Sequence, residues 1–345
     1  MKTRISTLFG IRYPIILSGM SWISVPKLVA AVSNAGGLGI LATGILTKDE
    51  TREAVREIRR LTNKPFGANL VLYFPGADQN AEVLFEEKVP VINYALGRGD
   101  RIAKEAHAYG AKVVATVTTH RHALAAVRDG ADALIVTGHE AAGHGGAVTS
   151  LVLVPSIVDA VKVPVIAAGG FADGRGLAAA LLLGAEGIAM GTRFMNTVES
   201  PVHDNMKRLS IEKEVYDTIY THKIDGIPAR FMKSKKSISI MKKPLNIFKA
   251  ALDSRDIAHS LGFPWIKLAI GILLSGYGSA KKMGTMAVGF KAFKAGSVDG
   301  DNEHGVLPLG QVTGLIHDTP TVDAVMKRII KEAGNAQRLL ASRMK

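Results

Sequence analysis

The sequence contains no cysteine, which excludes disulfides, thiolate metal ligands and cysteine nucleophiles. It also lacks a long apolar run, because its most hydrophobic late stretch, residues 268–274, is far shorter than the roughly 20 residues that span a bilayer. The N-terminus has neither a continuous apolar segment nor a small-residue cleavage site. These absences predict a mature, cytoplasmic protein without a transmembrane segment.

Aromatic residues are also scarce, at 6% of the chain, although the formal net charge is +13. The basicity is concentrated in residues 201–300, which hold 17 Lys plus Arg against 8 Asp plus Glu. Few aromatic side chains alternate with these lysines and no nucleic-acid-binding motif is recognisable, so nucleic acid is not an expected partner. A solvated face or an anionic substrate is the expected meaning of the charge.

The chain alternates short β-branched apolar runs with helical stretches, which is the pattern of a parallel sheet built from βα units. Eight strands are predicted by residue 190, and eight is the number that closes a TIM barrel. The predicted strands are residues 14–19, 38–43, 66–72, 90–95, 112–118, 133–137, 164–168 and 187–190. The predicted helices are residues 26–34, 48–61, 81–87, 100–109, 120–128, 150–161, 174–183 and 322–343.

This regular pattern ends after the eighth strand. Residues 201–300 contain lysine clusters and a glycine-dotted stretch, and the 345 residues exceed the roughly 250 of an average α/β barrel. We therefore expect residues 1–200 with 301–345 to form the (β/α)8 barrel. Residues 201–300 are expected to form a basic, mainly helical insertion that caps it.

Active sites of α/β barrels lie at the C-terminal ends of the strands, here called the mouth. Gly169 and Gly170 follow the seventh predicted strand, and Gly191 follows the eighth. Glycine lets backbone N–H groups approach a ligand closely, and the last two strands form the usual phosphate site of this fold. These glycines indicate a phosphate-bearing cofactor, although each of them alone is also explained by a tight turn.

The sixth predicted strand runs into GHEAAGHGG, residues 138–146, here called the histidine segment. Its two histidines are five residues apart, whereas a zinc-binding His-Glu-x-x-His helix places them four apart, so no metal is expected. No Gly-x-Ser-x-Gly nucleophile elbow occurs, and Gly37 and Gly39 follow a helix where a dinucleotide fold needs glycines before one. The remaining interpretation is a histidine that acts on a substrate stacked over a flavin.

Seven stretches in order resemble the flavin-dependent nitronate monooxygenases, formerly 2-nitropropane dioxygenases. This family is related to flavin-type enoyl-acyl-carrier-protein reductases and NAD(P)H:quinone reductases. The resemblance covers nearly the whole predicted barrel. The stretches are YPII at 13–16 with GM at 19–20, AGGLG at 35–39, PFGANL at 65–70, the histidine segment, PVIAAGGFADG at 164–174, GTRF at 191–194 and GQVTGL at 310–315.

The resemblance implies non-covalent FMN at the mouth, and His144 matches the family histidine that acts beside the flavin. His139 is interpreted as a polar residue on the rim. Glu140 is expected to orient a neighbouring group or to face solvent, and Arg193 to neutralise phosphate or to pair with an acid. The residues implied to bind FMN are Gly169, Gly170, Gly191 and Thr192 for the phosphate, and Gly19, Met20, Asn69, Ala142 and Gly143 for the ring.

The first functional expectation is oxidation of alkyl nitronates with O2. The alternative is an NAD(P)H-dependent FMN reductase that acts on an enoyl thioester or a quinone, which the basic segment favours because acyl-carrier protein, coenzyme A and NADPH are anionic. A third alternative is a barrel that binds a phosphorylated metabolite without redox chemistry. The basic segment is further considered as a lid, a dock for acyl-carrier protein or coenzyme A, or the surface of a homodimer.

Overall fold

The computed structural model describes residues 1–74, 76–242 and 277–344. Eight parallel strands close into a barrel in which each strand pairs with the next and β8 pairs with β1. The strands are β1 (Ile15–Leu17), β2 (Leu38–Ala42), β3 (Phe66–Val71), β4 (Val91–Ala95), β5 (Lys112–Val117), β6 (Ala133–Thr137), β7 (Val165–Ala168) and β8 (Gly187–Met190). The predicted TIM barrel is confirmed, and no strand end differs from its prediction by more than two residues.

The helices alternate with these strands around the barrel. Helix α3 shows why such segments fold: Thr47 and Glu50 form a reciprocal capping box at its start, and its apolar face is buried. The helices are α1 (Arg4–Phe9), α2 (Pro26–Asn34), α3 (Lys48–Leu61), α4 (Ala77–Glu86), α5 (Asp100–Ala108), α6 (His120–Arg128), α7 (Ser150–Val158), α8 (Gly174–Leu182), α9 (Thr192–Met195), α10 (Asp204–Ile211), α11 (Lys235–Lys242), α12 (Tyr277–Ser297) and α13 (Val322–Arg343).

Helix α1 closes the end of the barrel opposite the mouth. Its Ile5 and Phe9 are buried in one cluster with inward-facing strand residues, among them Leu38, Val91 and Ala133, which are the first residues of β2, β4 and β6. The sequence pattern did not predict this helix, because six residues are too few to show helical periodicity. The barrel interior is therefore filled at the end opposite the mouth. The mouth is the end at which a ligand can enter.

Helices follow strand eight, as predicted, but the inserted region also contains an antiparallel pair that was not predicted. Strands β9 (Thr218–Thr221) and β10 (Ala229–Met232) form a two-stranded sheet, here called the cap hairpin. Phe231 of β10 packs with Phe290 and Phe293 of α12, and Trp22 and Phe74 from mouth loops pack against the same cluster. This aromatic cluster holds the cap hairpin and α12 against the mouth.

The apolar stretch 268–274 lies outside the described residues. Within the described ranges, no helix is both long enough and apolar enough to cross a membrane. The division into a barrel and a cap domain at residues 201 and 300 stays a prediction.

Arg193, which directly follows the predicted phosphate residues, pairs with an acid, one of its two expected roles. Its guanidinium is 2% exposed and donates to Asp318 Oδ1 at 2.8 Å, and Arg328 donates to the same carboxylate at 2.6 Å. Hydrogen bonds from Arg328 and then Arg193 lower the pKa of Asp318 from its ordinary value of 3.8 to about 2. Asp318 thus links Arg193 of α9 to Arg328 of α13 through two ion pairs.

Replacing Asp318 with asparagine is expected to destabilise the protein in a pH-dependent way. A carboxylate whose pKa is lowered by folding contributes stability above its unfolded-state pKa and loses it as the pH falls through the folded-state value. The difference in Tm between wild type and Asp318→Asn should therefore be constant above about pH 5 and shrink towards pH 2. Asp159→Asn, at an exposed and unpaired carboxylate, is the control. A difference in Tm that does not change between pH 5 and pH 2.5, roughly the acid limit of such scans, would contradict the assignment.

Candidate active site

The histidine segment leaves β6 at the mouth and is anchored on one side to helix α7. The Glu140 carboxylate accepts hydrogen bonds from the Ser150 N–H at 2.9 and 3.0 Å and from the Ser150 hydroxyl at 3.1 Å. A carboxylate at the start of a helix satisfies donors that have no partner inside the helix. Glu140 therefore orients a backbone group, which is one of the roles expected for it.

The cap hairpin holds the other side of the histidine segment. Arg230 donates from Nε and Nη2 to the His139 carbonyl at 3.1 and 2.9 Å, and the Tyr220 hydroxyl donates to the Gly145 carbonyl at 2.8 Å. The Arg230 side chain is buried, and this burial lowers the pKa of its guanidinium. His139 packs edge-on against Tyr220, with ring centroids 4.5 Å apart. Two residues of the cap hairpin, Arg230 and Tyr220, thus fix the conformation of the histidine segment.

His144 is held by a carboxylate that comes from the turn of the cap hairpin. Its Nε2 lies 2.8 Å from Oδ2 of Asp225, whose side chain is 3% exposed, whereas the imidazole is 29% exposed. Nδ1 of His144 has no hydrogen-bond partner among the described residues. The histidine therefore offers one free ring nitrogen, on a side chain that solvent or a ligand can reach.

The predicted phosphate residues surround the histidine segment. Gly169 and Gly170 have φ of +94° and +87°, and a Cβ at Gly169 would lie 3.0 Å from the Gly138 carbonyl oxygen. The N–H groups of Gly170 and Gly191 have no acceptor within the described part of the chain. Thr192 lies beside them and accepts from the Gly310 N–H at 3.1 Å. Two free backbone donors at the ends of the neighbouring strands β7 and β8 fit an anionic phosphate.

The predicted ring residues lie around the same mouth. A Cβ at Gly19 would overlap the Asn69 side chain at 2.5 Å, and a Cβ at Gly191 would lie 3.1 Å from the sulfur of Met20. Asn69 is buried and donates to Asn93 Oδ1 at 2.7 Å, so its amide has a fixed orientation. The close contact at Gly19 and Asn69 requires a residue without a side chain.

The last two predicted ring residues border the phosphate side and the cap. The Ala142 N–H lies 3.2 Å from where a Cβ at Gly310 would sit, and the Gly143 carbonyl accepts from the Arg230 N–H at 3.2 Å. A Cβ at Gly143 would meet no atom within 4 Å, so this glycine, at φ +68°, faces open space. The structure thus brings all ten predicted site residues to one mouth. Open space beside small residues fits a flat ring, and the free N–H groups fit its phosphate.

The remaining candidates lie away from this arrangement or support it. His120 and His122 are exposed at the start of α6, and His139 is half-buried with its Nδ1 2.9 Å from the Gly146 carbonyl oxygen. In the described part of the chain, no group of three or more His, Asp or Glu residues is arranged to hold a metal ion.

Sequence reasoning missed Asp225, Arg230 and Tyr220. All three lie in the inserted region, which the pattern indicated only as a basic and mainly helical cap. The alternation Thr218-Ile219-Tyr220-Thr221 was the one local signal for a strand. Nothing local shows that Asp225 meets a histidine 81 residues earlier in the chain.

A closed parallel barrel with its polar groups gathered at the C-terminal mouth defines an enzyme of the TIM-barrel class. The model of the nitronate monooxygenase family matches residues 2–82 and 74–332, and the chain belongs to this family. It is therefore a flavin-dependent oxidoreductase. The resemblance inferred from the motifs is confirmed.

Three known proteins show how far the similarity extends along the chain. The chain is 37% identical over 338 residues, 96% of each chain, to (3aS,4S,5R,7aS)-5-hydroxy-7a-methyl-1-oxo-octahydro-1H-indene-4-carboxyl-CoA dehydrogenase of Rhodococcus jostii. It is 32% identical over 280 residues to a probable nitronate monooxygenase of Staphylococcus saprophyticus, covering 67% of this chain and 78% of that one. The structure of FabK from Thermotoga maritima matches with a TM-score of 0.83 and 36% identity over 99% of both chains.

Proposed function

We propose that this protein is an FMN-dependent oxidoreductase that acts on the acyl group of a thioester of coenzyme A or acyl-carrier protein, with a nicotinamide nucleotide as the second redox partner. The observation that carries the proposal is the His144–Asp225 pair beside the free N–H groups of Gly170 and Gly191. FMN, when bound, supplies hydride transfer. Gly169, Gly170, Gly191 and Thr192 would hold its phosphate.

The protein's own contribution is positioning and proton transfer. His144 exchanges a proton with the acyl group at Nδ1, so that hydride and proton together account for the two hydrogens gained or lost by a carbon–carbon or carbon–oxygen bond. Asn69, Gly19 and Met20 would orient the ring. Trp22 and Phe290, packed edge-on at 5.8 Å, help to close the mouth to water.

A thioester is favoured over a nitronate by the degree of sequence identity. The Rhodococcus dehydrogenase, whose name specifies a CoA ester, is 37% identical along 96% of this chain, whereas a nitroalkane oxidase from Streptomyces ansochromogenes is 25% identical along 97% of it. FabK of Thermotoga maritima, which is similar along 99% of both chains, is an enoyl reductase. Similarity along the full length includes the region that supplies Asp225.

The charge of the cap also supports a thioester carrier. Lys233, Lys235 and Lys242 are exposed directly after the cap hairpin, and none of them has a carboxylate partner among the described residues. Coenzyme A and acyl-carrier protein are both anionic, and unpaired lysines attract such ligands. An alkyl nitronate is a small anion with a single negative charge, so its binding does not require a basic surface.

Steady-state assays separate the candidates. The FMN-loaded protein is expected to oxidise NADH or NADPH in the presence of crotonyl-CoA or a longer enoyl-CoA, and to do so more slowly without the thioester. The second candidate, nitronate oxidation, is supported by the Staphylococcus relative and predicts O2 uptake with propyl-2-nitronate. Rapid O2 uptake with nitronate together with no effect of any thioester would overturn the proposal.

A further inference from the structure

The carboxylate of Asp225 is fully engaged within the protein. Oδ2 meets Nε2 of His144 at 2.8 Å, and Oδ1 accepts the Ile227 N–H at 3.1 Å. An ionised carboxylate only accepts hydrogen bonds, so the nitrogen that faces it must carry the proton. The neutral imidazole then has its lone pair on Nδ1, the nitrogen without a protein partner.

We propose that Asp225 is a positioning residue that fixes His144 as the tautomer protonated at Nε2 and thereby makes Nδ1 the atom that exchanges a proton with the substrate. The inference rests on the proposed function for the identity of the substrate, but not for the tautomer. In either direction of the redox reaction His144 alternates between imidazolium and this one neutral tautomer. Asp225 keeps the Nε2 proton throughout.

The packing around Asp225 holds this geometry in place. The Asp225 side chain is buried, and helix α12 packs against Asp225 at Gly289. A Cβ at Gly289 would lie 2.5 Å from the Ile224 carbonyl oxygen and 2.9 Å from Asp225 Cβ, so only glycine permits this approach. The inserted region therefore places the carboxylate between α12 and the histidine segment.

An asparagine at position 225 gives a sharp test, because the Ile227 N–H fixes its orientation. The amide oxygen must accept from Ile227, so the NH2 group faces Nε2 of His144 and requires a lone pair there. The proton of the neutral imidazole then moves to Nδ1, and proton exchange at Nδ1 is blocked. An alanine at the same position removes the carboxylate without imposing the wrong tautomer.

The kinetic expectation is therefore that Asp225→Asn is more damaging than Asp225→Ala. Asp225→Asn should lower kcat by about 10²-fold or more, with FMN retained and KM little changed. Asp225→Ala should lose less, and Asp217→Asn, a carboxylate just before the cap hairpin that accepts from the Glu214 N–H, should behave as wild type. A merely structural role would make alanine the worse variant. That order, or wild-type turnover in Asp225→Asn, would overturn the proposal.

A second measurement needs neither a substrate nor a variant that folds poorly. The FMN-loaded wild-type protein is labelled with ¹⁵N-histidine, and the His144 signals are identified by their absence in His144→Gln. The proposal predicts a protonated Nε2 and an unprotonated Nδ1 in the neutral ring. A proton on Nδ1 would overturn it. If the tautomer is as predicted but no thioester is turned over, the proposed substrate is wrong and the inference about Asp225 stands.

Discussion

Replacing His144 with alanine is expected to lower kcat by about 10²-fold or more while FMN stays bound, which is the usual effect of removing a positioned acid or base. Among the described residues, His144 is the one imidazole at the mouth that a buried carboxylate holds at Nε2 while Nδ1 stays free, so no described neighbour replaces it. Turnover and the flavin absorbance spectrum are measured on the same preparation. The spectrum separates loss of chemistry from loss of cofactor.

His122→Ala is the matched control for this variant. His122 lies exposed at the start of α6, and among the described residues its side chain has no hydrogen bond or ion pair, so its replacement should leave kcat unchanged. Unchanged turnover in His144→Ala would remove the histidine from the chemistry. Loss of FMN in His144→Ala would instead make it a cofactor-binding residue.

Replacing Gly169 with valine is expected to weaken FMN binding by about 10²-fold or more, because small displacements at a positioned site have effects of this size. Gly169 has φ +94°, a conformation that a β-branched residue rarely adopts. Its Cβ would also lie 3.0 Å from the Gly138 carbonyl and 3.2 Å from the Ala141 N–H, so the histidine segment has to shift. The dissociation constant is obtained from quenching of flavin fluorescence.

Gly110→Val is the control that separates the effect of backbone strain from the loss of FMN binding. Gly110 has a similar φ of +86° at the end of α5, but a Cβ there would meet nothing within 4 Å. Both variants are expected to lose about 1–2 kcal/mol of stability from the left-handed conformation. Only Gly169→Val should lose FMN, and equal affinities for FMN in the two variants would remove Gly169 from the cofactor site.

The barrel was predictable because its signals are local. Each strand is a short apolar run between turn residues, and helices such as α2 (Pro26–Asn34) and α3 (Lys48–Leu61) have the predicted bounds. Their starts are marked by proline in α2 and by a Thr–Glu capping box in α3. Parallel pairing then follows from the alternation itself, without knowledge of any distant contact.

The candidate site was predictable only in part. The glycines at the ends of β7 and β8 lie next to strands, so the rule that barrel sites lie at the mouth locates them. Asp225 lies in a turn of the inserted region and reaches His144 through tertiary folding alone. Arg230 is buried although arginine is normally exposed, and its side-chain partners, the His139 carbonyl and the Thr218 hydroxyl, are not indicated by any sequence pattern.

The account is tested most directly by a single turnover without oxygen. The FMN-loaded protein is reduced by light or dithionite and mixed with an enoyl-CoA in a stopped-flow instrument. The account predicts that the absorbance of oxidised flavin returns within the turnover time in wild type and returns far more slowly in His144→Ala. Flavin that stays reduced with every enoyl thioester, together with bleaching of oxidised flavin by propyl-2-nitronate, would contradict it.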